Sequence, residues 1–361
     1  MLLNKKIAAL FFLSFFINHS FASNADSTEP VRHMPSTFKF AHFRSSPDLY
    51  FLGNTVSEQG RSLKAMAGFS RQGRPVPIHY FQGKTERRAL VIGGVHGTEL
   101  SAIDVAYELI DKMNTAIDTP EFSVLIIPEL FPDNANAARK NPSFIGSPLN
   151  IGRYTVSGAA DPNRQMPALG MPFLDWNPVD ARGREIEPEN RMLLRLIQEY
   201  APERIVNLHA IREQNMAGVY ADPRTDHQLI AKGFAYDSTL AIMMAGYISD
   251  SAMSLPGNWH NGKPNALYVH DPEVAPVGTL QKRNTCGACS KTAPGGVSLG
   301  GWASTAVNYP QYSREAITII TMEFPGCKRS GDYPDPAQAE CTWLLQRAFA
   351  GSIRAVFLSY P

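Results

Sequence analysis

The sequence predicts an α/β protein with a largely parallel sheet covered on both faces by helices. Three observations predict it. From about residue 48 onward, short apolar runs alternate with stretches whose apolar residues recur at helical spacing. The short runs are apolar at consecutive positions rather than at alternate ones, which marks strands buried on both faces. The length of 361 residues holds one large domain of this class or two small ones, and there is no internal repeat.

The elements follow in order. Residues 90–94 (LVIGG) form a strand that ends at glycines, and residues 99–113 form a helix. Residues 122–128 (FSVLIIP) are a second buried strand. Residues 131–188, rich in Asn, Pro, Gly and Arg, are expected to be a long loop region. A helix over 187–200 leads into a strand over 204–209 (RIVNLH), and 227–247 has a helical pattern. After a loop-rich stretch over 250–313, residues 317–323 (ITIITME) form a strand and 336–356 a closing helix. Active sites of such sheets lie beyond the carboxyl ends of the strands. His96 follows the first strand, His209 ends the third, and Glu323 ends the last.

Residues 1–22 have the pattern of a secretory signal. Lys5 and Lys6 precede an apolar run of 11 residues, 7–17, which is too short to span a bilayer, and Ser20 and Ala22 are small residues before the cut. The protein is therefore expected to be exported, periplasmic in a Gram-negative cell, with no stable membrane insertion after cleavage. Residues 23–47 are expected to be an arm, and 48–361 one folded domain. Cleavage removes two lysines and no acid, which moves the formal charge from +1 to −1. A chain so balanced lacks the basic face that a nucleic-acid partner requires. Cys286, Cys289, Cys327 and Cys341 are an even set, and in an exported protein they are expected to form disulfides, with three pairings open. Cys286-Gly-Ala-Cys289 has zinc-knuckle spacing but no second such pair.

The segment GGVHGTE, residues 93–99, places His96 and Glu99 three residues apart on a glycine-rich turn from strand to helix. A histidine and a carboxylate so spaced can grip one ion. His209, from another strand, supplies a third ligand, and a fourth position is left for water, as in hydrolytic zinc sites. Glu323 closes an apolar run where no carboxylate is otherwise expected, and it can serve as the general base. Arg139, in DNANAARKN, and Arg164, in DPNR, can bind an oxyanion or a carboxylate.

This ordered set resembles the zinc carboxypeptidases of the carboxypeptidase A-like family, over roughly residues 48–358. GGVHGTE, PDNANAAR, DPNR, NLHA and ITMEF follow one another as the family's motifs do. The resemblance implies a mixed eight-stranded sheet between helices, in a single catalytic domain. It implies one Zn²⁺ held by His96, Glu99 and His209. Arg139 would stabilise the oxyanion, Asn163 and Arg164 would hold the substrate's terminal carboxylate, and Glu323 would activate water and protonate the leaving nitrogen. The stretch around residues 57–69 looks like the family's opening strands, and SLGGWA, residues 298–303, like the loop that lines its specificity pocket. Lys291 or Ser290 falls near the place of a mobile tyrosine of the digestive members. A lysine there can bind an extra carboxylate, such as one on diaminopimelate.

Export and this resemblance together lead to the expectation of a metallocarboxypeptidase that hydrolyses peptide bonds in murein. Two other readings are an amidohydrolase of N-acyl amino acids, like the desuccinylase and aspartoacylase relatives, and a non-catalytic peptide-binding relative.

Overall fold

A computed structural model describes residues 50–51, 62–147, 149–156, 159–232, 235–260, 263–264 and 295–360. The expected signal segment, the arm over 23–47, and Lys291, Cys286 and Cys289 lie outside the described residues.

The strands in chain order are β1 (Tyr50–Phe51), β2 (Leu63–Phe69), β3 (Pro75–Phe81), β4 (Arg88–Ile92), β5 (Ser123–Ile127), β6 (Arg204–Ile211) and β7 (Gly218–Asp222), then β8 (Trp259–His260), β9 (Lys263–Pro264), β10 (Val307–Tyr309), β11 (Tyr312–Arg314) and β12 (Thr318–Pro325). The helices are α1 (Leu100–Thr115), α2 (Pro132–Arg139), α3 (Pro188–Tyr200), α4 (Ala235–Ser251), α5 (Leu299–Ala303) and α6 (Pro336–Ser352), the last continuing as a wider turn over Ile353–Phe357. The main sheet has eight strands in the order β1-β2-β3-β5-β4-β6-β12-β7. β5, β4, β6 and β12 run parallel at its centre. β1 to β3 and β7 join antiparallel at the two sides. The sheet is thus mixed, with eight strands, as the family resemblance implied. The pairs β8–β9 and β10–β11 are small separate hairpins.

Alternate residues of each central strand face opposite layers. Val91, Val206, Leu208, Ile320 and Met322 pack with Val105 and Leu109 of α1, Leu240 and Met244 of α4 and Phe349 of α6 in one fully buried core. The parity then turns Asn207, His209 and Glu323 to the other face of the sheet. α3 packs on that side against β2.

The entry of β6 is tied down from below. Arg204 is buried against the Phe122 ring at 3.7 Å and donates to the carbonyls of Phe357 and Tyr360 at 2.6 and 3.0 Å. Burial lowers its pKa to about 10, and these carbonyls satisfy a guanidinium that burial would otherwise strand.

Three expectations from the pattern change. The stretch 131–188 is not all loop, because α2 lies within it, opened by Pro132 at a position where its missing N–H costs nothing. The helix expected from residue 227 begins at Ala235. Before it the chain folds back, with Thr225 bridging Ala231 and Asp226 Oδ1 accepting from the backbone of Gln228 and Ile230, each at 2.8 Å. An aspartate that satisfies backbone donors in this way competes with helix formation. The stretch 250–313 carries α5 and both hairpins.

Candidate active site

The turn after β4 depends on its glycines. Gly94 has a φ of +68°, and a Cβ on Gly97 would lie 2.2 Å from the Ala135 nitrogen, so α2 passes too close for a side chain. That turn delivers His96 and then Glu99, which precedes the first residue of α1. Glu99 makes no side-chain cap for its helix. Its carboxylate turns inward instead, with Oε1 2.8 Å from His96 Nδ1 and Oε2 2.9 Å from His209 Nδ1. The Ala210 backbone N–H also donates to Oε2 at 3.1 Å.

His96, Glu99 and His209 are all buried, and one donor atom from each lies within 4.8 Å of the others. Both Nδ1 atoms point at the same carboxylate. The outer nitrogens are held as well. His96 Nε2 lies 2.8 Å from Asp161 Oδ1, and His209 Nε2 lies 2.9 Å from the Asn207 amide. Two imidazoles and one carboxylate, inward-facing and backed by polar partners, are a donor set that fits a zinc ion. The groups of the cluster shift one another's titration. Burial opposes charge on His96, but Glu99 and Asp161 outweigh it and raise the ring to about 9. Burial likewise opposes charge on Glu99, yet the two histidines hold its carboxyl well below the usual range.

Glu323 enters from β12, in register with His209 of β6. Burial is the main influence on it and raises its carboxyl to about 7, against a lowering by His209. A carboxyl so placed sits near the pKa that proton transfer at neutral pH favours.

A cleft of about 480 Å³ opens over this cluster. The structure brings His96, Glu99, His209, Glu323, Asn163 and Arg164 to its walls. Asn163 and Arg164 sit on a single helical turn, Pro162–Arg164, which Asp161 caps by accepting from the Asn163 N–H at 2.8 Å. Asn163 Oδ1 accepts from the Leu299 N–H at the start of α5. Arg164 is anchored through Nη1 to the Asn163 carbonyl at 2.7 Å.

Arg139 is not among the residues lining this cleft. It ends α2, and its guanidinium is taken by Glu129 in a two-pronged pair at 2.8 and 2.6 Å. The arginine beside the donor cluster is Arg153. It lines the cleft, donates to Glu99 Oε1 at 2.9 Å and lies 3.6 Å from Asp161 Oδ2. The sequence carried only a faint sign of it. Gly152, with a φ of +88° and no room for a Cβ beside the Asn134 carbonyl, sets the turn that carries Arg153 inward. Asp161 was visible in the DPNR motif, but its service to His96 was not.

The stretch likened to the loop of a specificity pocket includes Trp302 and touches the cleft residue Asn163 through the Leu299 N–H. Trp302 is fully buried and donates through its ring N–H to the Met171 carbonyl at 2.8 Å, so it is core. Of the cysteines expected to form disulfides, Cys327 and Cys341 are free thiols among the described residues. Cys327 lines the cleft, and burial pushes its thiol up to about 12.

No protein-family model and no curated protein matches the sequence. Solved structures do show likeness. A metallo-carboxypeptidase from Burkholderia cenocepacia is 14% identical with a TM-score of 0.45, over 84% of this chain and 66% of that one. Carboxypeptidase A from Helicoverpa armigera is 15% identical with a TM-score of 0.47, over 82% and 69%. The murein-tripeptide amidase MpaA from Escherichia coli O157 is 15% identical with a TM-score of 0.41, over 81% and 91%. The likeness is distant on both measures, and what the site can do follows from its own residues.

Proposed function

We propose that the protein is a zinc-dependent metallocarboxypeptidase that hydrolyses an amide bond beside a terminal carboxylate, in peptides of the bacterial cell wall. One observation carries the reading: a three-donor cluster, a buried carboxyl of raised pKa, and Arg153 and Arg164 among the arginines share the walls of one cleft.

His96, Glu99 and His209 would hold the ion. A zinc ion there would polarise a carbonyl and lower the pKa of a water molecule towards neutrality. Glu323 would take the proton from the attacking water and pass it to the leaving nitrogen, a transfer that its raised pKa favours. Arg153 is the residue we assign to the developing oxyanion, in place of Arg139. Arg164 and Asn163 would hold the substrate's terminal carboxylate, and Lys291 a further carboxylate on its side chain. Export through residues 1–22 would bring the enzyme to this substrate.

Purified zinc-loaded protein is to be incubated with murein tripeptides and tetrapeptides and, in parallel, with N-acyl amino acids, and the products read by mass spectrometry. Release of a C-terminal residue, or scission before diaminopimelate, is expected, with loss of activity on chelation. No hydrolysis of any murein peptide would overturn the substrate assignment. Cleavage of acyl amino acids alone would replace it with the amidohydrolase reading.

A further inference from the structure

His209 has two ring nitrogens with unlike neighbours. Nδ1 faces Glu99 inside the donor cluster at 2.9 Å. Nε2 faces two amides, Asn207 at 2.9 Å and Asn163 at 3.2 Å. Those amides are not equivalent. Asn163 is pinned, because its Oδ1 accepts from the Leu299 N–H at 3.1 Å, so only its NH₂ can face the ring. Asn207 is 1% exposed, and its Oδ1 has no hydrogen-bond partner among the described residues. A buried carbonyl oxygen left without a donor is costly. A half-turn of the last side-chain bond exchanges that oxygen with the amide nitrogen beside His209.

We propose that Asn207 is a positioning residue for the metal: it accepts a hydrogen bond from His209 Nε2–H and so holds the tautomer whose Nδ1 lone pair faces the cluster. The inference rests on the metal reading above. A neutral imidazole carries one N–H, and a ligating nitrogen carries none, so the proton must sit on Nε2. Nε2 then needs an acceptor. Asp161 supplies one for His96 at 2.8 Å. For His209, Asn163 offers only N–H, a donor that a protonated Nε2 displaces from its 3.2 Å contact, and the Asn207 oxygen is the acceptor within reach.

The test is zinc affinity, measured by competition with a chromophoric chelator on the full chain, for the native protein, Asn207→Leu and Asn207→Asp. Melting of each metal-free protein checks the fold. Outer partners of ligating histidines are worth roughly 10–100-fold in affinity, and Asn207→Leu is expected to lose that much. Asn207→Asp keeps an acceptor in place and removes the donor, so it is expected to bind within a few-fold of native. If the leucine variant does not fold, the aspartate variant decides alone. A folded Asn207→Asp that loses tenfold or more overturns the inference, as does an unchanged Asn207→Leu. A native protein that binds no zinc overturns the metal reading itself and this inference with it.

Discussion

Glu323 stands directly beside His209 across the parallel pairing of β12 and β6. Both side chains leave the sheet on the face opposite α1, α4 and α6, since Leu208, Ala210, Met322 and Phe324 fill the core on the other. One register therefore fixes the distance between a proposed ligand and the proposed base. The first prediction tests that division of labour. Glu323→Gln is expected to lower kcat by roughly 10²–10⁴ while leaving zinc content unchanged. Metal analysis alongside steady-state kinetics checks it, and loss of zinc together with activity would contradict it.

The two arginines give a contrasting pair. Arg153→Leu removes the cation beside Glu99 and Asp161, and kcat/KM is expected to fall by about 10²–10³. Arg139→Leu leaves Glu129 buried without its partner. It is expected to cost about 1–2 kcal/mol of stability and leave hydrolysis of the same peptide nearly unchanged. Kinetics and urea unfolding on both variants separate the two roles.

What the sequence made legible follows from how local each signal is. His96 and Glu99 share one turn flanked by glycines, and His209 and Glu323 each end an apolar run, so their chemistry stands out against their surroundings. The two arginines do not stand out. Arg139 lies in a segment that matches a family motif, but only the folded chain places Glu129 against it. Arg153 lies in a loop with no period, and no local pattern marks it as facing inward. The same holds for α4. Its helical pattern extends back to residue 227, but Asp226 bonds to the backbone two and four residues on and delays the helix.

Chelation gives the next prediction. A ligand that binds only the folded chain stabilises it by mass action, about 4 kcal/mol at a thousandfold excess over Kd. Addition of EDTA is expected to lower the melting temperature of the native protein and to leave that of His96→Ala unmoved. Calorimetry with and without chelator measures both.

Asp104 offers a test away from the cleft. Burial is the largest influence on it and raises its carboxyl to about 6, against a lowering by Arg329. The native state therefore holds this proton more tightly than the unfolded chain does, so stability falls as pH rises from about 4 through 6. Asp104→Asn is expected to melt close to the native protein at pH 4 and above it at pH 7.5. The gap at the higher pH should be roughly 1–3 kcal/mol, and thermal unfolding across that range checks its sign.

β6 and β7 follow one another in sequence, yet β12 lies between them in the sheet. β12 is the last strand but one in the sheet order, so without it β7 has no partner in the sheet and the cleft has no Glu323. The strand that seats β7 in the sheet is thus the one that carries the proposed base. His96, Glu99 and His209 all precede β12 in the chain, so the donor cluster and the proposed base reach the cleft on separate segments.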